Sequence, residues 1–132
     1  MGGEPWSYFT PFETSVHAAL EKLRERVFES GEFRGSRMKP ATPEEAVANM
    51  EEQGTASILD ITEVSATPEF CSVCPLPDED LESYFGTTEP TREQVQATQD
   101  FYEPIERGQG IYITVYKDGR PSEYFFAGYS FD

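Results

Sequence analysis

Two cysteines with the spacing of redox and metal sites are the first candidates for chemistry in this chain. Cys71 and Cys74 form a Cys-x-x-Cys motif. A zinc site needs four ligands, and the only histidine, His17, lies far away in sequence. The neighbouring acids Glu69 and Asp78 would raise a thiol pKa and so disfavour the reactive thiolate. We therefore predict two incidental thiols, no metal and no cofactor, with a redox role as the alternative.

A dense run of acids at residues 78–82 is the second candidate. The run lacks the glycine and the terminal glutamate of a calcium loop, and it suits the positive end of a helix dipole. It is either a solvated acidic face or a docking surface for a basic partner. The candidate partner-binding residues are Asp78, Glu79, Asp80, Glu82, Glu89, Glu93, Asp100 and Glu103.

The charge of the chain is concentrated around these residues. The formal net charge is −15. Residues 54–109 contain twelve acids and two bases, Arg92 and Arg107. Such a field attracts basic partners and repels phosphates, and no glycine-rich phosphate loop precedes a helix. We therefore expect that the protein does not bind nucleic acid.

No catalytic constellation accompanies the acids. His17 is the only possible histidine base, and no Gly-x-Ser-x-Gly nucleophile motif is present. Paired carboxylates of the glycosidase type stay open as a possibility, since acids are abundant and nothing selects a pair. An enzyme is the less favoured class.

Capping signals predict the helices that carry these side chains. Residues 10–13 and 42–45 each have Thr-Pro followed by a glutamate, which is typical of helix starts. The first helix should end at Gly31 and the second at Gly54. A short helix is expected over residues 78–85. A longer one should begin at the Thr91 cap and kink or stop around residues 102–103, because Pro104 lacks an N–H.

Strand signals are strongest near the end of the chain. Residues 111–117 and 122–129 are rich in β-branched and aromatic residues, and Asp118-Gly119 between them is typical of a type I′ turn. A two-residue loop would pair Lys117 with Arg120 and Ile113 with Tyr124. Residues 57–61 and 6–9 are further strand candidates, and residues 65–77 should be irregular.

These elements predict one α+β domain spanning residues 1–132. We expect an antiparallel sheet of three to five strands with a C-terminal β-hairpin, and three to four helices packed mainly on one face. No apolar run approaches the length of a membrane helix, and the first residues lack the features of a signal peptide. The expectation is a cytoplasmic protein with no membrane contact.

Three segments of the chain resemble a family of small acidic bacterial proteins of unknown function. They are the Pro-Trp-Ser-Tyr-Phe start, the Val-Tyr-Lys-Asp-Gly turn and the Phe-Ala-Gly-Tyr-Ser-Phe-Asp end. The resemblance implies a bacterial cytoplasmic origin and transfers no activity, cofactor or site residue.

The charge distribution favours an acidic, non-enzymatic protein-binding module, in the manner of an immunity protein or inhibitor. It would dock a basic partner through carboxylates of the 78–106 region. The alternative is a small enzyme or ligand-binding protein with an aromatic and carboxylate pocket between the sheet and the helix over residues 91–103.

Overall fold

A five-stranded sheet forms the centre of the molecule. The computed structural model describes residues 3–132. The strands are β1 (Pro5–Pro11), β2 (Glu63–Val64), β3 (Ser72–Pro75), β4 (Gly110–Lys117) and β5 (Arg120–Tyr129). Their order in the sheet is β1-β5-β4-β3-β2.

The sheet is mixed rather than antiparallel throughout. The β1, β5 and β4 strands are antiparallel neighbours, whereas β3 runs parallel to both β4 and β2. A long crossover separates β3 from β4 in the chain, and such a crossover permits parallel pairing. The α+β class, the strand number and the C-terminal hairpin are as predicted.

Four helices and three single 3-10 turns complete the fold. The helices are α1 (Val16–Ser30), α2 (Pro43–Met50), α3 (Asp78–Phe85) and α4 (Arg92–Gln96), and the turns are Ser36–Met38, Ile58–Asp60 and Asp100–Tyr102. Within residues 3–132, none of the helices has the length and apolar character needed to cross a bilayer.

The helices cover both faces of the sheet, whereas we had expected them mainly on one. Tyr124 and Phe126 of β5 pack into the core that includes α1 and α2. Phe125 and Ala127 point the other way, into the core that includes α3 and α4. Successive strand residues alternate between faces, so four consecutive buried residues require cover on both sides.

The N-cap of the first helix lies five residues later than predicted. The hydroxyl of Ser15 accepts a hydrogen bond from the Ala18 amide at 3.0 Å and is the true N-cap. Thr10 and Pro11 belong to β1, where Thr10 pairs with Tyr124. Pairing along the sheet therefore outweighs the local capping pattern. The predicted end at Gly31 is confirmed, with φ of 74°.

The strand predicted at residues 57–61 is a 3-10 helix instead. The hydroxyl of Ser57 accepts from the Leu59 amide at 3.2 Å, and the Ile61 amide donates to the Ile58 carbonyl at 2.9 Å. These hydrogen bonds join near neighbours in the chain and form a turn. An extended strand has no such bonds. The apolar side chains of this turn are buried because they form part of the core beneath α1.

The predicted hairpin is present, but its register shifts by one residue. Lys117 pairs with Arg120 as expected, whereas Ile113 pairs with Phe125 rather than Tyr124. A bulge between Val115 and Tyr116 causes the shift. Asp118 and Gly119 have φ of 53° and 77°, as a type I′ turn requires.

Two segments near the acidic region also differ from prediction. Residues 65–77 contain β3, which is short and has too few β-branched residues to be recognised locally. The helix expected to continue from Thr91 towards residue 103 ends at Gln96. Its capping box is present, because Thr91 and Gln94 bond each other reciprocally.

Candidate functional site: an acidic face beside an apolar cavity

Three buried side chains place the predicted acidic residues on one face of the sheet. Leu81 of α3, Val95 of α4 and Phe101 of the 3-10 helix Asp100–Tyr102 all belong to the same core. All eight predicted carboxylates lie on these elements, directly beside them, or, for Glu89, in the link between α3 and α4. We call these eight residues the acidic face.

The carboxylates of the acidic face are mostly exposed and form no ion pair within the described range, residues 3–132. Seven are exposed and Asp80 is half-buried. Within residues 3–132, none of the eight lies within 4 Å of a lysine, arginine or histidine nitrogen. Exposed charges of this kind remain available to a partner.

The two arginines of residues 54–109 are turned towards the last part of the chain. Arg92 lies 3.7 Å from Glu123, and its guanidinium is 4.1 Å from the centroid of the Phe9 ring. Arg107 lies 3.8 Å from the Asp132 carboxylate. Each pairs with a carboxylate outside the acidic face, so the strong negative charge of that face persists.

The negative charges of three members of the acidic face act on the phenol of Tyr84. Burial raises the pKa of Tyr84, and the negative charges of Asp80, Glu103 and Asp100 raise it further. A carboxylate disfavours a nearby phenolate because the two charges repel. Three carboxylates that are spread over residues 80–103 therefore disfavour the same phenolate.

Tyr84 itself was not predicted as part of the site. It lies four residues after Asp80 on α3, a spacing that brings side chains together on a helix. That spacing was the available signal. Glu93, by contrast, is exposed and lines a different hollow, together with Arg92 and Lys117.

An apolar cavity of about 260 Å³ opens next to the acidic face. It lies between the loop that precedes β3, the β3–β4 part of the sheet and the segment after α4. Its main apolar lining consists of Pro68, Leu76, Phe101, Pro104, Ile105 and Ile111. Among the described residues 3–132, Asp80 is the only charged one in the lining.

A smaller cavity of about 200 Å³ lies where the alternative hypothesis expected a pocket, between the sheet and residues 95–102. Phe9, Phe101, Tyr102 and Phe125 contribute aromatic rings to it. Its lining contains no Asp or Glu. Aromatic side chains are therefore present at this position without the carboxylates that acid–base chemistry would need.

The cysteines lie at β3 rather than at the start of a helix. Both are free thiols; Cys71 precedes the strand and Cys74 is buried within it. Burial raises the pKa of both thiols, and the charges of Asp60 and Glu63 raise that of Cys71 further. A raised pKa lowers the thiolate fraction, which is the opposite of what a redox nucleophile requires.

Histidine and metal chemistry find little support in the described geometry. His17 is exposed on α1, across the sheet from the acidic face. Within residues 3–132, no three His, Cys, Asp or Glu side chains are grouped so as to hold a metal ion.

Comparison with known proteins gives no relative for this chain. No protein-family model, no curated protein and no solved structure matches it.

Proposed function

We propose that this protein is a non-enzymatic binding module that docks a basic protein partner through the acidic face. The observation that carries the proposal is the absence of any ion pair on the eight carboxylates within residues 3–132, and the negative charges of three of them act on Tyr84. Carboxylates held close together repel one another, and a basic partner relieves that repulsion on binding.

The expected partner surface is one that normally receives phosphates, such as the substrate cleft of a nuclease. Carboxylates of the acidic face would take the positions of phosphate groups, in the manner of an immunity protein or inhibitor. Charge of this density accelerates association and disfavours acidic competitors. Polar rather than apolar contacts would then dominate the rim of the interface.

The test compares two triple variants in a pull-down with the native host lysate. The first, Asp80→Asn/Asp100→Asn/Glu103→Gln, removes three charges from the acidic face. The control, Glu21→Gln/Glu25→Gln/Glu29→Gln, removes three exposed charges from α1 on the opposite face.

A basic protein should be retained by the wild type and the control at low salt, and lost at about 0.5 M salt, where screening extends to a few ångströms. The first variant should lose it at low salt. If no basic protein is retained under either condition, or if both variants behave alike, the proposal is wrong.

A small enzyme or ligand-binding protein is the second candidate, because the cavity beside residues 95–102 lies where that hypothesis expected one. Its missing carboxylates make it the weaker candidate. Ser7 is exposed at the cavity lining, so Ser7→Trp should abolish binding of any small molecule that co-purifies there. Unchanged binding would remove this candidate.

A further inference from the structure

We propose that the 260 Å³ cavity receives one large apolar side chain of the basic partner, from a residue adjacent in sequence to a lysine or arginine that reaches Asp80. This inference rests on the proposed function and names the chemistry of the segment that docks. It assigns the cavity to a protein side chain rather than to a free metabolite.

The size of the cavity favours a single side chain. Pockets for drug-sized ligands usually measure about 300–1,000 Å³, so 260 Å³ lies below that range. One aromatic or large aliphatic side chain is of suitable volume. Interfaces gain most of their binding energy from a few such anchors that fill pockets.

The charge of Asp80 determines which partner residue must lie beside the apolar side chain that fills the cavity. We call that apolar side chain the anchor. Asp80 is half-buried, and its carboxylate makes no hydrogen bond or ion pair with any residue of the range 3–132. A cation placed at the cavity rim would satisfy it. An uncharged or acidic neighbour of the anchor would leave Asp80 without compensation while the anchor covers it.

The same short segment builds the apolar wall and part of the charged rim. Phe101, Pro104 and Ile105 line the cavity, whereas Asp100 and Glu103, which alternate with them in sequence, act on Tyr84. Apolar and acidic groups therefore stand side by side. A partner segment with a matching alternation of apolar and basic residues fits this arrangement.

Three capped pentapeptides separate the contributions of the anchor and the charge. The probe is Gly-Phe-Lys-Lys-Gly. Gly-Ser-Lys-Lys-Gly lacks the anchor, and Gly-Phe-Gln-Gln-Gly lacks the charge. Each is titrated into the full chain at low salt, to about 5 mM because dissociation constants near 1 mM are weak but measurable. NMR chemical-shift changes report the affinity and the place of binding.

Two matched pairs of variants test whether the probe peptide binds at the cavity. Ala66→Phe fills the cavity from its exposed rim, and Ala41→Phe adds the same ring at an exposed position away from it. Asp80→Asn removes the charge in the lining, and Glu25→Gln removes an exposed charge from α1, which packs on the other face of the sheet and does not line the cavity.

The probe should bind about tenfold more tightly than either altered peptide, since one well-buried apolar side chain stabilises a complex by roughly this factor or more. The shift changes should centre on Leu76, Ile105 and Ile111. Ala66→Phe and Asp80→Asn should each remove most of that advantage, whereas Ala41→Phe and Glu25→Gln should retain it.

The failures are distinguishable. If the two lysine peptides bind equally, the anchor inference is overturned and the proposed function stands. If the glutamine peptide binds as tightly as the probe, the pairing with Asp80 is overturned. If neither lysine peptide shifts any resonance, the docking of basic segments itself is refuted.

Discussion

The hydroxyl of Ser130 donates a hydrogen bond of 2.6 Å to Oδ2 of Asp60, and both residues are fully buried. Seventy residues separate them in sequence. The other carboxylate oxygen, Oδ1, accepts from the Thr55 amide at 2.7 Å and from the Thr55 hydroxyl at 2.8 Å. This network ties the end of the chain to the 3-10 helix Ile58–Asp60.

The remaining hydrogens of the network have one consistent arrangement. The Thr55 hydroxyl donates to Asp60, so the hydrogen in its 2.7 Å contact with the Ser57 hydroxyl comes from Ser57. Ser57 in turn accepts from the Leu59 amide. Each of these hydroxyls donates one hydrogen bond. Removing any one of them leaves a buried polar group without a hydrogen-bond partner.

Removing one donor from this network should destabilise the protein. Ser130→Ala leaves Oδ2 of Asp60 without its short bond and should lower the free energy of unfolding by about 1–3 kcal/mol. Ser83→Ala is the control, because Ser83 is exposed on α3 and should change stability by no more than about 0.5 kcal/mol. Urea unfolding measures both, and equal midpoints would contradict a supporting role for the network.

A second prediction compares two glycines with nearly the same backbone conformation. Gly54 and Gly86 have φ of 77° and 76°. A Cβ at Gly54 would overlap the Ser130 hydroxyl and lie 2.9 Å from Oδ2 of Asp60, whereas one at Gly86 meets nothing within 4 Å. Gly86→Ala should cost about 1–2 kcal/mol from conformation alone.

Gly54→Ala should cost at least about 1 kcal/mol more than Gly86→Ala, because it adds a steric conflict inside a close-packed network. Thermal or urea unfolding of the two variants under the same conditions checks this difference. If Gly54→Ala lowered the free energy of unfolding by less than Gly86→Ala does, the network would be shown to adjust easily to the added methyl group.

The thiols should react slowly with alkylating reagents. Burial raises the pKa of Cys71, and nearby negative charge adds to the effect. In the Cys74→Ser variant, the reaction of Cys71 with iodoacetamide should therefore be slower in the folded protein than in denaturant at the same pH. Its rate should rise at higher pH than for an unfolded cysteine. Rapid reaction near neutral pH would instead revive the redox hypothesis.

Stability should decrease in alkaline solution because four tyrosines are buried or half-buried. Burial raises the pKa of Tyr8, Tyr102, Tyr112 and Tyr124 above the ordinary value of 10.0. Above that pH the unfolded chain loses these protons first, whereas the folded protein retains them. Folding is then coupled to proton uptake, so the free energy of unfolding decreases as pH rises.

The contribution is fully present below about pH 10 and is lost as the pH rises through the raised folded values. Unfolding midpoints between about pH 8 and 11 measure it. Tyr102→Phe removes one of these groups, together with its 3.0 Å bond to the Trp6 carbonyl, and should make the alkaline decline shallower. An unchanged slope would exclude Tyr102 as a contributor.

Local sequence signals were sufficient to predict several structural elements. The cap at Thr42, the acidic first turn of α3 and the Asp118-Gly119 turn each act within about four residues, and all three elements are present. Such features are determined by the sequence itself because the stabilising partner is a near neighbour in the chain.

Other local patterns were overridden by distant contacts. Thr10 and Pro11 have the form of a helix start but pair with β5, and the Ile58–Asp60 segment has strand composition but is a turn held by Ser57 and the Asp60 network. The β5 strand lies far along the chain from Thr10, whereas the turn combines local bonds to Ser57 with a bond from Ser130, which is 70 residues from Asp60. No short sequence window contains that information.

The candidate site likewise combines features that the sequence predicts with features that only the tertiary structure shows. The sequence alone identified the surplus of carboxylates in residues 78–106 and the lack of nearby bases. Only the tertiary structure brought Asp80, Asp100 and Glu103 to Tyr84, turned Arg92 towards Glu123 and opened the apolar cavity beside them. Charge is a property of each residue, whereas convergence and concavity arise from packing several segments on one sheet.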